Sequence, residues 1–216
     1  MKLLGIAAFA AQISVVSAIS IQVNNDNGFD TNLVTDNTGA LLTSGAGANV
    51  GTVAIGHFGG LSDAGITSLA TTSVSNLVTS FSQVGSLVNF SATPDGFFVG
   101  SATADLTGGD SSAVGKGVFI VIGNSSSLAA ATQMLVFRYE DDFVDTPFEG
   151  PGTASLINGT GTLLIGEYNN FGFDNDSNPS TPDAPAFNLV VIPIPEPSST
   201  ALLGLGGLAF FLRRRR

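Results

Sequence analysis

The chain of 216 residues holds one domain's worth of sequence, and only 11% of it is charged, too little to wet the outer faces of a helical bundle. Gly, Ser, Thr and Asn take the place of charge, which suits a β-rich protein with hydroxyl and amide faces and glycine turns; 44% hydrophobic content with 16 Phe is enough to build a core. Two bases, Lys116 and Arg138, face 17 acids between the two apolar ends, a net of −15, which excludes nucleic acid as a partner, and the absence of cysteine excludes disulfides and thiolate chemistry.

The first segment, MKLLGIAAFAAQISVVSAIS, has one Lys, an apolar run from Leu3 to Val16, and small residues closing at Ala18. The run is shorter than the about 20 residues of a membrane span. It reads as a secretory signal peptide over residues 1–18, cleaved after Ala18 by signal peptidase, with the exported domain spanning 19–192.

Strands are expected in that domain at Ile19 to Val23, Val50 to Phe58, Phe97 to Leu106, Gly117 to Gly123, Gln133 to Tyr139, Thr162 to Tyr168 and Phe187 to Ile192. Gly117 to Gly123 is apolar enough to be buried on both faces. Clusters of Gly, Asn and Asp separate the runs. The expected fold is all-β, an antiparallel β-sandwich of jelly-roll type. Between the second and third runs, Ile66, Leu69, Val74, Leu77, Val78, Phe81 and Val84 recur near helical spacing. Ser62 or Asp63 could cap this segment and Gly85 could end it, giving one or two short helices on an edge of the sandwich.

Candidate chemistry in the domain is sparse. His57 is the one histidine, at a strand end, and no G-x-S-x-G elbow accompanies it. Glu140, Asp141, Asp142 and Asp145 could supply a carboxylate pair for glycoside cleavage, but adjacent acids on a strand end diverge, so a solvated loop is the simpler reading. Asp174, Asp176 and Asn178 place oxygen ligands as a calcium loop opens, yet Pro179 stands where that loop needs glycine. Calcium is therefore the one cofactor to consider, against an Asx-rich turn. No catalytic residue is assigned, and the chain reads as a non-enzyme. With no Trp and two Tyr, it lacks the usual ring-stacking residues of a sugar-binding face.

The C-terminus is the most informative stretch. Pro193, Pro195 and Pro197 fix φ and remove donors, so the backbone around Glu196 is expected to be extended. Ser198 to Leu212 is uncharged and, as a helix, about 22 Å long, shorter than the roughly 30 Å hydrocarbon core. Arg213, Arg214, Arg215 and Arg216 supply snorkelling groups and a cytoplasmic stop.

Pro195-Glu196-Pro197, the short apolar helix and the arginine cluster, in that order over residues 193–216, resemble the PEP-CTERM sorting signal of Gram-negative bacteria. A GPI signal lacks the terminal arginines, and a sortase tag needs an LPxTG-type pentapeptide that is absent. The resemblance implies an exported protein tethered transiently to the inner membrane by a transmembrane helix. Exosortase, a membrane transpeptidase, would process it near Pro195 to Pro197. The product would then sit at the cell surface or in the extracellular matrix, associated with exopolysaccharide and biofilm. An exported polysaccharide-active enzyme using Glu140, Asp141 or Asp142, or a calcium-dependent adhesion or carbohydrate-binding module, is the alternative.

Overall fold

The computed structural model describes residues 19–26, 32–45, 47, 49–106, 108–144, 152–173 and 184–193. In chain order the described elements begin with β1 (Ile19–Asn24), β2 (Leu33–Thr35) and β3 (Thr52–His57). Two helices follow, α1 (Asp63–Ala70) and α2 (Val74–Ser80). The chain returns to strands with β4 (Ser82–Gln83), β5 (Val88–Asn89), β6 (Val99–Ala104), β7 (Gly117–Gly123) and β8 (Gln133–Asp142). The last are β9 (Thr153–Ser155), β10 (Gly161–Ile165), β11 (Glu167–Phe173), β12 (Ala184–Asn188) and β13 (Val190–Val191). The protein is mostly β-sheet, as its composition implied.

The central sheet has the order β10-β8-β7-β3-β4, with β5 also on β3 and β13 also on β8. Its pairings are all antiparallel. The register lines up Val53, Ile122 and Leu135 in one row and Ile55, Ile120 and Phe137 in the next. Because side chains alternate along a strand, these rows share one face, and Ala54, Val121 and Val136 form a row on the other. Both faces are covered, so β7 is buried from Val118 to Gly123. An apolar run without alternation is the sequence mark of a strand in that position.

The two faces face different partners. On the first, the Ile55 and Val53 rows pack with Ile21 and Val23 of β1, Ala102 and Ala104 of β6, Val34 of β2 and Phe187 of β12. Those strands belong to two smaller sheets, β6-β1-β9 and β11-β12-β2. On the second face, Ala54, Val121, Met134 and Val136 pack with Ile66 and Ala70 of α1 and with Val74 and Leu77 of α2. The helices thus cover a sheet face, and the expectation that they sit on an edge is corrected. A central sheet with no polar outer face needs that cover, since each large apolar side chain left in water would forfeit about 1.5–3 kcal/mol.

The helical segment is broken where Ser and Thr lower helix propensity. Ser62 caps α1 by accepting from the N–H of Gly65 (3.2 Å). Ser73 caps α2 by accepting from the N–H of Asn76 (3.1 Å). Gly85 does not end the helix: α2 stops at Ser80, and Gly85 (φ 69°) turns the chain beyond β4. Val84 donates its N–H to Ile55 O (2.9 Å) and is buried with the opposite face, so its helical spacing with Leu77 is coincidental.

Two further expectations change. The sheets are not purely antiparallel, because β1 pairs β9 and β2 pairs β12 in parallel. Each of these pairs joins an early strand to a late one, so the intervening chain supplies the long crossover that a parallel pair requires. The single strand expected over Thr162 to Tyr168 is two strands, β10 and β11, divided at Gly166. That glycine has φ 115°, and a Cβ there would lie 3.1 Å from Asn188 O, so a side chain is disfavoured twice over.

Candidate functional site

The chemistry-bearing side chains collect at one end of the central sheet, where β3 ends, α1 begins, β7 begins and β8 approaches its end. A cleft of about 430 Å³ opens there, lined by Gly59, Leu61, Asp63, Gly117, Phe119 and Arg138 among others. Arg138 Nη1 lies 3.2 Å from Asp63 Oδ2, an ion pair with both side chains over 40% exposed. The pair bridges the start of α1 to β8. A Cβ at Gly117 would stand 3.3 Å from the Phe119 ring, 3.6 Å from Asp142 Oδ1 and 3.7 Å from Arg138 Nε. The missing side chain at 117 therefore leaves the floor of the cleft open between a cation, an acid and an aromatic edge.

His57 is tied to this cleft through Gly59. It is buried, its Nδ1 accepts from the N–H of Gly59 (3.0 Å), and its ring meets Phe143 edge-on at 6.5 Å. Burial lowers its pKa, and the Lys116 ammonium lowers it further, so the neutral imidazole is favoured more than in an exposed histidine. Among the described residues no carboxylate or hydroxyl is hydrogen-bonded to His57. It stands as a buried histidine at the end of β3.

The acids expected at the end of β8 are exposed: Glu140, Asp141 and Asp142 close the strand. Their pairing with β7 is irregular, since Gly117 lies opposite Asp142 and Phe119 opposite Arg138, so Glu140 and Asp141 fall in the bulged stretch of the strand. After burial, the Asp141 and Glu140 charges raise the pKa of Tyr139. Asp145 lies outside the described residues, as do Asp174, Asp176 and Asn178. Among the described residues no group of three His, Cys, Asp or Glu side chains could hold a metal ion.

From the sequence, Arg138 and Lys116 stood out only as the two bases of the domain and Asp63 only as a candidate cap, none of them as a site residue. One signal was available: Arg138 and Lys116 are the only bases between the apolar ends, and both stand at this cleft or beside it. The cleft offers donors (Arg138, Ser62) and acceptors (Asp63, Asp142) around an apolar floor.

The second candidate region is the C-terminal one. Residues 193–216 match the family profile of the PEP-CTERM protein-sorting motif. The chain carries a PEP-CTERM sorting signal. This signal marks an exosortase substrate, an exported protein that is membrane-anchored before it is processed. No curated protein and no solved structure matches the chain. The PEP-CTERM segment starts at Pro193, the last described residue, directly after the buried Ile192. Its Pro195, Glu196 and Pro197, and Arg213, Arg214, Arg215 and Arg216, lie outside the described residues, and so does Ala18 at the other end. Among the described residues no helix is long and apolar enough to cross a membrane.

Proposed function

We propose that the protein is a non-enzymatic component of the cell surface or extracellular matrix, delivered there by its PEP-CTERM signal and associated with exopolysaccharide. Signal peptidase cleaves after Ala18. The apolar stretch from Ser198 to Leu212 then spans the inner membrane, with Arg213 to Arg216 on the cytoplasmic side. Exosortase acts near Pro195 to Pro197 and releases the domain. The domain is read as a β-sandwich with one outer face covered by helices, and no cofactor enters this reading. The observation that carries it is the sorting motif at residues 193–216, following a chain whose first 18 residues read as an export signal.

Two features support the part concerning polysaccharide. The Arg138–Asp63 cleft alternates donors and acceptors beside an exposed Leu61, an arrangement suited to hydroxyl groups on an apolar ring face. The excess of acids disfavours nucleic acid and anionic lipid as ligands. The test is to locate the full chain and a chain lacking residues 193–216 in a processing-competent host, and to measure binding of each to the host's own exopolysaccharide. Surface delivery of the full chain alone, with binding by both, is the expected result. Surface delivery without the tail would overturn the sorting reading, and failure of either chain to bind would overturn the polysaccharide reading.

A further inference from the structure

The chain leaves its folded part beside an apolar groove. It runs between α1, the β10–β11 turn and β13, has a volume of about 370 Å³, and is lined by Thr71, Leu164, Ile165, Val190, Val191 and Pro193 among others. Val191 is 59% exposed, the most exposed large hydrophobic side chain among the described residues. Pro193 belongs both to the groove and to the sorting segment.

There is no linker between the two. β13 is held in register on β8, Val190 opposite Met134 and Val191 opposite Gln133. Ile192 is 1% exposed and donates its N–H to Thr132 O (3.1 Å). Extended chain advances at most about 3.3–3.6 Å per residue, so Pro195 lies within about 7 Å of Pro193 and Pro197 within about 14 Å. An active site that grips Pro195 to Pro197 therefore works within about 14 Å of Pro193, which lines the groove.

We propose that this groove is the docking surface for the exported-side rim of the membrane transpeptidase that processes the tail, and that the rim is apolar where it meets Val191 and Leu164. The inference rests on the reading of the tail as a processed sorting signal. Lipid is the weaker occupant, because the domain is strongly acidic and the first residue of the apolar stretch, Ser198, lies beyond the processing segment.

The experiment follows conversion of precursor to mature protein by pulse-chase, using the full chain in a processing-competent host. Val191→Asp places a charge in the contact while altering an exposed position, and it should slow conversion about tenfold, the effect of burying one poorly paired polar group. Thr71→Glu, on the opposite wall, should act the same way. Inserting a twelve-residue Gly/Ser linker between Pro193 and Ile194, with a span of about 17–21 Å, should make conversion insensitive to both substitutions. Equal conversion of Val191→Asp and wild type overturns the docking surface alone. So does slowing that persists with the linker, or a loss of binding to enzyme-free phosphatidylcholine vesicles caused by Val191→Asp. A wild-type chain that is never converted overturns the sorting reading, and the docking proposal with it.

Discussion

Replacing Leu77 by Ala tests whether the helices are part of the core. Leu77 is fully buried on α2 and packs in the cluster that covers Ala54, Val121 and Val136 of the central sheet. The substitution removes the equivalent of three methylenes, about 2.4 kcal/mol of transfer free energy at about 0.8 each. The space left between helix and sheet adds a cavity term, since neither side can collapse fully, for a total of about 3–4 kcal/mol. In a domain of this size each kcal/mol lowers Tm by about 2–4 °C, so the melting temperature should fall by about 6–16 °C. Urea unfolding followed by circular dichroism measures the same loss as a shift in midpoint at unchanged slope. Leu61→Ala is the control, because Leu61 is 45% exposed and should move stability by less than about 1 kcal/mol. If Leu77→Ala costs no more than Leu61→Ala, the helices are peripheral and the two-faced account of the central sheet is wrong.

Three other outcomes are expected. Asn25→Ala removes the buried carboxamide that donates to Asn32 O and Gly96 O (2.8 Å each) and accepts from the N–H of Phe98 (2.9 Å); the stranded groups should cost about 3 kcal/mol or more in urea unfolding. His57 has a folded-state pKa below its ordinary value, so the stabilisation it contributes is present above about pH 6.5 and is lost as pH falls from there through the lower folded value; the wild-type urea midpoint should fall more than that of His57→Gln over that window. The Arg138–Asp63 pair is exposed on both sides, and a double-mutant cycle with Arg138→Ala and Asp63→Ala should give a coupling under about 1 kcal/mol, which leaves the pair free to exchange partners with a ligand.

What the sequence disclosed depended on how local the determinant is. β7 was legible from Gly117 to Gly123 because seven consecutive residues carry its whole signal, with glycines at both ends. The caps Ser62 and Ser73 act within three residues, and Ser62 was legible for that reason. Strands β4 and β5 have two residues each and exist through their partners on β3, so no local pattern announces them, whereas β13 lies inside the run expected over Phe187 to Ile192. Val84 satisfied a helical period by chance, and only the hydrogen bond to Ile55 assigns it to the other face. Gly166 was read as one more residue of a strand, whereas its positive φ divides two sheets. The cleft was hidden because Arg138 and Asp63 are 75 positions apart and nothing in either neighbourhood points to the other. The tail lay at the opposite extreme: prolines, glutamate, apolar stretch and arginines are contiguous, and together they specified the motif later matched at residues 193–216.

The central claim is that the C-terminal segment is a signal consumed during delivery. Intact mass spectrometry of the protein recovered from outside an exosortase-competent host tests it most directly. The expected product begins at Ile19 and ends within or next to Pro195 to Pro197, with no trace of the arginine cluster. A recovered chain still ending in Arg216 would contradict it.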